Sequence, residues 1–229
     1  MDNNLHRLMQ QFEKQISNNL LLMKFRFMNV CVKAEPAALI GVSVSEAEVT
    51  GNLEDVVDVY GGDEKTLNLV PHDGVDITSV AADISEIHPE FIVDYGVYKK
   101  SQDNEDTVTV LSLTVPDVDK DRRDILLKAV NTYKDAFNTY VDTAASVTKV
   151  KMAMYLADAT DADKDKVTEF FKDKAKEYKD KAEQAAADKT KEIEDAYKRY
   201  LEEQAERQTE AEKTNLAEGA DVAKTFIGK

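Results

Sequence analysis

The sequence holds one cysteine, three histidines and no tryptophan in 229 residues. With Cys31 alone, no intramolecular disulfide forms and no thiolate cluster binds a metal. Lying between Val30 and Val32, Cys31 reads as a buried, inert thiol. His6, His72 and His88 stand at no metal-ligating helical spacing, and no His-Glu-x-x-His occurs. Glycine numbers only eight, and Gly61-Gly62 lacks the Lys-Ser/Thr that follows a phosphate-cradling loop. The stretch from Asp158 to Asp165 imitates a calcium loop without its central glycine or its twelfth-position glutamate. No apolar run approaches the ~20 residues of a membrane span, since Lys24 and Arg26 interrupt the one after Leu20. Met1-Asp2-Asn3-Asn4 has neither the basic region nor the apolar core of a signal peptide. These absences lead us to expect a cytoplasmic protein with no catalytic constellation, no metal, no cofactor and no membrane partner.

What the chain has in plenty is charge: 45 acidic against 30 basic residues, a net −15. That excess argues against a DNA partner. Its distribution matters more than its sum. Residues 35–118 hold 18 acids against Lys65, Lys99 and Lys100, so this middle region alone carries −15. Residues 1–34 carry +3 and residues 119–157 carry +2, with −5 from 158 onward. The two mildly basic segments are therefore able to approach phosphate.

The basic segments read as helices. Leu5, Leu8, Phe12, Ile16, Leu20, Met23, Phe27 and Val30 recur in steps of three and four, which predicts one helix of about seven turns over residues 3–30. Pro36 ends it. A second long helix opens at Pro116-Asp117-Val118-Asp119. Its expected apolar side is Ile125, Ala129, Tyr133, Phe137, Tyr140, Ala144 and Val147. After a turn at 159–163, a third helix runs from about Asp163 to at least Leu201, with Val167, Phe170, Phe171, Tyr178, Ala182, Ala185, Ile193, Tyr197 and Tyr200 on one face. Its Lys/Glu/Asp-rich remainder suits a solvated surface with i,i+4 pairs. Long amphipathic helices must cover one another's stripes, and an antiparallel bundle does so.

Between the first and second helices the period changes to two. Val42 and Val44 alternate with serines, Thr66 to Val70 reads as a strand, and so do Phe91 to Tyr98 and Thr107 to Val115. Ser101 to Asp106 reads as the hairpin loop between the last two. Asp76 is placed to cap a short helix ending at Ile87, with Ile77, Val80 and Ile84 on one face. His72, after Pro71, and His88, before Pro89, read as turn and loop residues.

Three blocks carry a more specific message. Lys33-Ala34-Glu35-Pro36-Ala37-Ala38-Leu39-Ile40-Gly41-Val42 is followed by Thr50-Gly51-Asn52-Leu53-Glu54-Asp55-Val56 and then by Asp63-Glu64-Lys65-Thr66-Leu67-Asn68-Leu69. In order and spacing, inside a helix–β–helix–helix plan, they resemble the ribosome recycling factor family. The resemblance implies an α+β fold: an elongated, L-shaped molecule with a three-helix bundle at 1–34 and 117–200 and an inserted β/α/β domain at 35–116. A C-terminal helical extension at 201–229, ending in Val222, Phe226 and Ile227, has no family counterpart. We expect a monomer, and by the resemblance it works without a cofactor. It binds the ribosome against large-subunit rRNA and promotes subunit release after termination, with elongation factor G as partner. The residues expected at that RNA are Lys24, Arg26, Lys33, Arg122, Arg123, Lys128, Lys149 and Lys151.

Departures from the family pattern sharpen the expectation. Lys33 stands where the family has arginine and lacks the bidentate fork. An arginine cluster expected in the second helix falls near Asp142, Ala145 and Ser146, with Lys149 and Lys151 the nearest substitutes. A second reading therefore stays open: a non-enzymatic interaction protein that kept the fold and binds a basic partner through its acidic middle.

Overall fold

The computed structural model describes residues 3–46, 49–99, 107–157 and 159–227. Helix α1 covers Asn3–Met28, β1 Ser43–Glu46, β2 Val49–Asn52, β3 Val57–Gly61, β4 Thr66–Pro71, α2 Ile77–Ile87, β5 Ile92–Lys99, β6 Thr107–Thr114, α3 Lys120–Tyr155 and α4 Asp161–Ile227. The expected hairpin loop at 101–106 lies outside the described residues, as do Asp158 and the side chains of Val222, Phe226 and Ile227.

Two separate apolar cores organise the chain. In the first, all seven expected positions of α1 from Leu5 to Phe27 are buried against α3 and α4. Phe12 meets Phe171 edge to face, with ring centroids 5.0 Å apart, a geometry that the aromatic quadrupole favours. Lys174 of α4 pairs with Glu13 of α1 at 2.9 Å, and Lys134 of α3 with Glu183 of α4 at 3.1 Å.

The α3 face differs from the expectation. Phe137 is only 1% exposed, but Ile125 is 68% and Val147 50% exposed. The buried set is Val130, Phe137, Val141, Thr148 and Met152. Its alternating steps of seven and four form an eleven-residue period, close to the natural helix repeat. At about 100° per residue, these five stay within ~60° of Phe137, whereas Ile125 lies ~120° away and Val147 ~80°. The expected series drifted around the helix because steps of four accumulate. Tyr133, Tyr140, Ala129 and Ala144 are half-buried at the edge of the true stripe.

The second core lies in the inserted region. Its four-stranded antiparallel sheet has the order β3-β4-β6-β5, beside a separate β1-β2 hairpin. Leu67 and Leu69 on β4 pair with Leu113 and Leu111 on β6, and all four are buried. Helix α2 seals them with Ile77, Val80, Ala81 and Ile84. Its cap forms as expected: Thr78 N–H donates to Asp76 Oδ1 at 3.0 Å. Ser45 N–H donates to Asp83 Oδ2 at 2.8 Å, which ties the hairpin to α2. The strands β2 and β3 were not expected; Gly51, Asn52, Asp58 and Gly61 dilute their signal.

The chain crosses between the cores by alternation. Val30 and Val32 belong to the bundle core, while Cys31 and Ala34 belong to the other. On the return, Val115 faces the sheet core and Val118 the bundle. Asp119 then caps α3 by accepting from Arg122 N–H at 2.8 Å. Helix α4 begins at Asp161, where the Thr160 hydroxyl donates to Asp163 Oδ2 at 2.9 Å. It runs unbroken for 67 residues, ~100 Å at 1.5 Å per residue, against ~54 Å for α3.

Candidate functional site

The junction between the two cores is where side chains of opposite charge meet. Lys65, in the turn before β4, donates to Asp117 Oδ1 at 2.7 Å and lies 3.7 Å from Glu203 of α4. Arg199 of α4 reaches back to Glu64 at 2.8 Å. The backbone joins in: Ala34 N–H donates to Glu64 O at 2.9 Å, and Val115 N–H to Lys65 O at 2.8 Å. The third block, Asp63 to Leu69, is therefore the piece that docks on the bundle, and Glu203, beyond position 200, takes part.

Glycine at 41 serves the same contact. Its φ is +92°, in the left-handed region that favours glycine, and a Cβ there would stand 3.0 Å from the ring of Phe25 on α1. Any larger residue carries both backbone strain and a clash at this position.

Two expected RNA contacts are engaged within the molecule. Arg122 donates from Nη2 to the Cys31 carbonyl at 2.9 Å, and burial lowers the pKa of its guanidinium, against the pull of nearby Glu90. Arg123 donates to Asp124 at 2.8 Å, reaches Glu194 at 3.9 Å and lies 4.6 Å from the centre of the Tyr197 ring. Both arginines thus hold the molecule together, Arg122 across the junction and Arg123 between α3 and α4.

The remaining candidates face outward in two groups. Lys24 and Lys33 line one cleft of about 340 Å³ at the junction, together with Lys189 of α4, a residue the sequence did not single out. Arg26 is exposed at the same end of α1, 5.6 Å from the centre of the Tyr133 ring. Lys128 is exposed near the start of α3, while Lys149 and Lys151 are exposed near its far end. From Lys128 to Lys149 is ~30 Å along the axis. Lys151 borders a groove between α1 and α3, beside Leu8, Gln11 and Tyr140. Among the described residues, Lys24, Lys33, Lys128, Lys149 and Lys151 pair with no carboxylate. Where an arginine cluster was expected, Asp142 instead accepts from Lys179 of α4 at 2.6 Å, so this stretch of α3 is tied within the bundle.

His72 occupies its expected turn, with Nδ1 3.1 Å from Asp55 O and Nε2 3.4 Å from Asp58. His88 is in a loop as expected, but only 1% exposed. Cys31 is 3% exposed, and burial pushes its thiol up to about 12, which leaves almost no thiolate near neutral pH.

Among solved structures, the solution structure of a ribosome recycling factor matches this chain with a TM-score of 0.67. The match covers 85% of this chain and 100% of that one, at 15% sequence identity. The fold is that of ribosome recycling factor. A second match has a TM-score of 0.49 and 18% identity, covering 82% of this chain and 98% of the other. It belongs to models of the T. thermophilus ribosome recycling factor and the E. coli elongation factor G bound to the E. coli post-termination complex. No family model and no curated protein matches the sequence. Within the recycling-factor fold, the α+β architecture expected from the helical periodicity and the three blocks between Lys33 and Leu69 is borne out. No helix among the described residues is long and apolar enough to cross a membrane.

Proposed function

We propose that this chain acts at the ribosome as a divergent, non-enzymatic recycling factor, promoting or modulating subunit release after termination. The observation that carries this reading is the extent of the fold match, which takes in the whole of a recycling factor chain. The bundle approaches large-subunit rRNA through Lys24, Arg26, Lys128, Lys149 and Lys151, with Lys33 at the mouth of the junction cleft. Elongation factor G is the partner that drives release. The acidic inserted region stays off the RNA, because its excess of carboxylates repels phosphate.

A second reading is favoured by the use made of Arg122, Arg123 and Asp142. A chain whose arginines serve internal contacts, and whose α3 carries a paired aspartate in place of an arginine cluster, suits a basic protein partner held by the inserted region. Sedimentation with purified ribosomes, followed by subunit splitting with elongation factor G, separates the two. Co-sedimentation with the large subunit and splitting above background are the expected results. A chain that stays in the supernatant at low salt refutes ribosome binding and leaves the second reading standing.

A further inference from the structure

One group of side chains, two buried and one half-buried, has no part in the basic surfaces. Cys31 Sγ, a ring nitrogen of His88 and a carboxylate oxygen of Glu90 all lie within 4.8 Å of one another. Cys31 comes from the linker after α1, and the other two from the loop between α2 and β5. Their hydrogen bonds fix the state of the imidazole. His88 Nε2 lies 2.9 Å from the carbonyl oxygen of Ala38. A carbonyl only accepts, so Nε2 carries a proton. A histidine that donates one N–H to a backbone carbonyl is locked in the orientation and tautomer that aim its other nitrogen at a metal. That other nitrogen, Nδ1, lies 3.0 Å from Glu90 Oε1. Two tetrahedral zinc ligands, each at ~2.0–2.2 Å from the ion, stand ~3.3–3.6 Å apart, so the pair needs to open by only a few tenths of an ångström. With no ion, a proton bridges the pair.

We propose that Cys31 Sγ, His88 Nδ1 and Glu90 Oε1 form a site for a borderline-soft divalent cation of the zinc class. Thiolate, imidazole and carboxylate are the donor types such an ion takes. The thiolate and carboxylate cancel its two charges, so the filled site is neutral, as a buried site must be. Arg122, whose charge acts on both Cys31 and Glu90, therefore faces no net positive charge. Cys31 and Ala38 also border the junction cleft, which supplies the path from solvent and a water for the fourth position. Binding releases two protons, one from the Cys31 thiol and one from the bridge between His88 and Glu90. Sulfur–metal, nitrogen–metal and oxygen–metal bonds replace them, with no change of oxidation state. Affinity consequently rises with pH. The filled site ties the linker after α1 to the α2–β5 loop, next to the point where the two cores meet.

The test uses the full-length, metal-stripped protein in a non-thiol reductant, titrated with Co²⁺ and then with Zn²⁺. One Co²⁺ per chain is expected, with a thiolate-to-cobalt charge-transfer band that Zn²⁺ abolishes. Cys31→Ser should remove the band and weaken binding more than ~100-fold. Glu90→Gln and His88→Gln should weaken it as well, and His6→Gln and His72→Gln should leave it unchanged. Because His88 is buried, the decision rests on Cys31→Ser and Cys31→Ala, which alter volume least, each verified as folded by circular dichroism. Absence of the band in the unaltered protein, or equal affinity in folded Cys31→Ala, overturns the proposal.

Discussion

Phe137→Ala and Ile125→Ala, two substitutions on one helix, should differ by several kcal/mol. Phe137 is 1% exposed in the bundle core, and Ile125 is 68% exposed about 120° around α3. Truncating a fully buried phenylalanine removes its transfer free energy and leaves a cavity, together ~3–5 kcal/mol. A change at a largely exposed position away from caps and networks stays within ~0.5 kcal/mol. For a chain of this size each kcal/mol moves the melting temperature by ~2–4 °C, so Phe137→Ala should lower it by ~6–20 °C and Ile125→Ala by ~2 °C or less. The assay is thermal unfolding followed by far-ultraviolet circular dichroism, which reports chiefly on the long helices of the bundle. Calorimetry beside it shows whether the two cores melt together or apart. Equal losses at the two positions, or a loss below 1 kcal/mol at Phe137, would refute the assignment of the α3 face.

Three further outcomes follow from the junction. Gly41→Ala should cost ~1–3 kcal/mol from the positive φ alone, with the Phe25 clash added, and Phe25→Ala in the same chain should recover only the clash, as read by denaturant midpoints. Arg122→Ala should cost ~1.5–3 kcal/mol by removing a charge-assisted bond to the Cys31 carbonyl, yet leave the salt dependence of ribosome binding unchanged; a flattened dependence would place Arg122 at the RNA instead. The raised Cys31 pKa favours the protonated folded state, so its contribution is complete below the ordinary thiol value of 9.0 and is lost as pH rises toward about 12. Cys31→Ala should therefore flatten the alkaline end of the stability curve, and an unchanged curve between pH 9 and 12 would show that burial has no such effect.

How much of this was legible in the sequence depended on whether the signal was periodic or long-range. The face of α1 was readable because its seven apolar residues keep one register over 26 residues, a pattern that the exposed Leu21 and Leu22 do not break. The face of α3 was harder, since Ile125, Val147, Val150 and Met154 are apolar yet exposed, and a run of fours can follow them around the axis. The strands β2 and β3 are four and five residues long and carry Gly51, Asn52, Asp58 and Gly61, so neither alternation nor propensity marked them. The capping aspartate Asp76 was visible because a cap is a local pattern, whereas Asp119 was legible only as part of the segment that opens α3. The inward commitment of Arg122 was not visible, because its acceptor, the carbonyl of Cys31, is 91 positions away. The same holds for Cys31 beside His88 and Glu90, which only the tertiary fold brings together.

The charge segregation bears on partner choice more than any single residue does. Most exposed pairs along α4, such as Lys176–Asp180 and Lys181–Glu177, contribute little stability, and the segment from 158 onward keeps a net −5. Lys166, Lys172 and Lys191 of α4 show no carboxylate partner either among the described residues, so it is the net +3 of residues 1–34 and +2 of residues 119–157 that set those segments apart. Under the proposed function, RNA would meet the bundle at Lys24, Lys33, Lys128, Lys149 and Lys151, on α1 and α3 and at the junction, with the acidic inserted region held off by its own charge.

The most direct test of that account is the salt dependence of large-subunit binding, measured for the unaltered chain and for a Lys24→Glu, Lys128→Glu, Lys149→Glu, Lys151→Glu chain. If these lysines meet phosphate, the unaltered chain should show a steep logarithmic decline with salt, and the four-site variant should bind weakly with a slope flatter by ~0.7–0.9 per lost phosphate contact. Neutralising Asp58, Glu86 and Asp94 in the inserted region should leave the slope as it was. Identical slopes for the unaltered and four-site chains, or binding abolished by the inserted-region changes alone, would contradict a bundle-mediated approach to the ribosome.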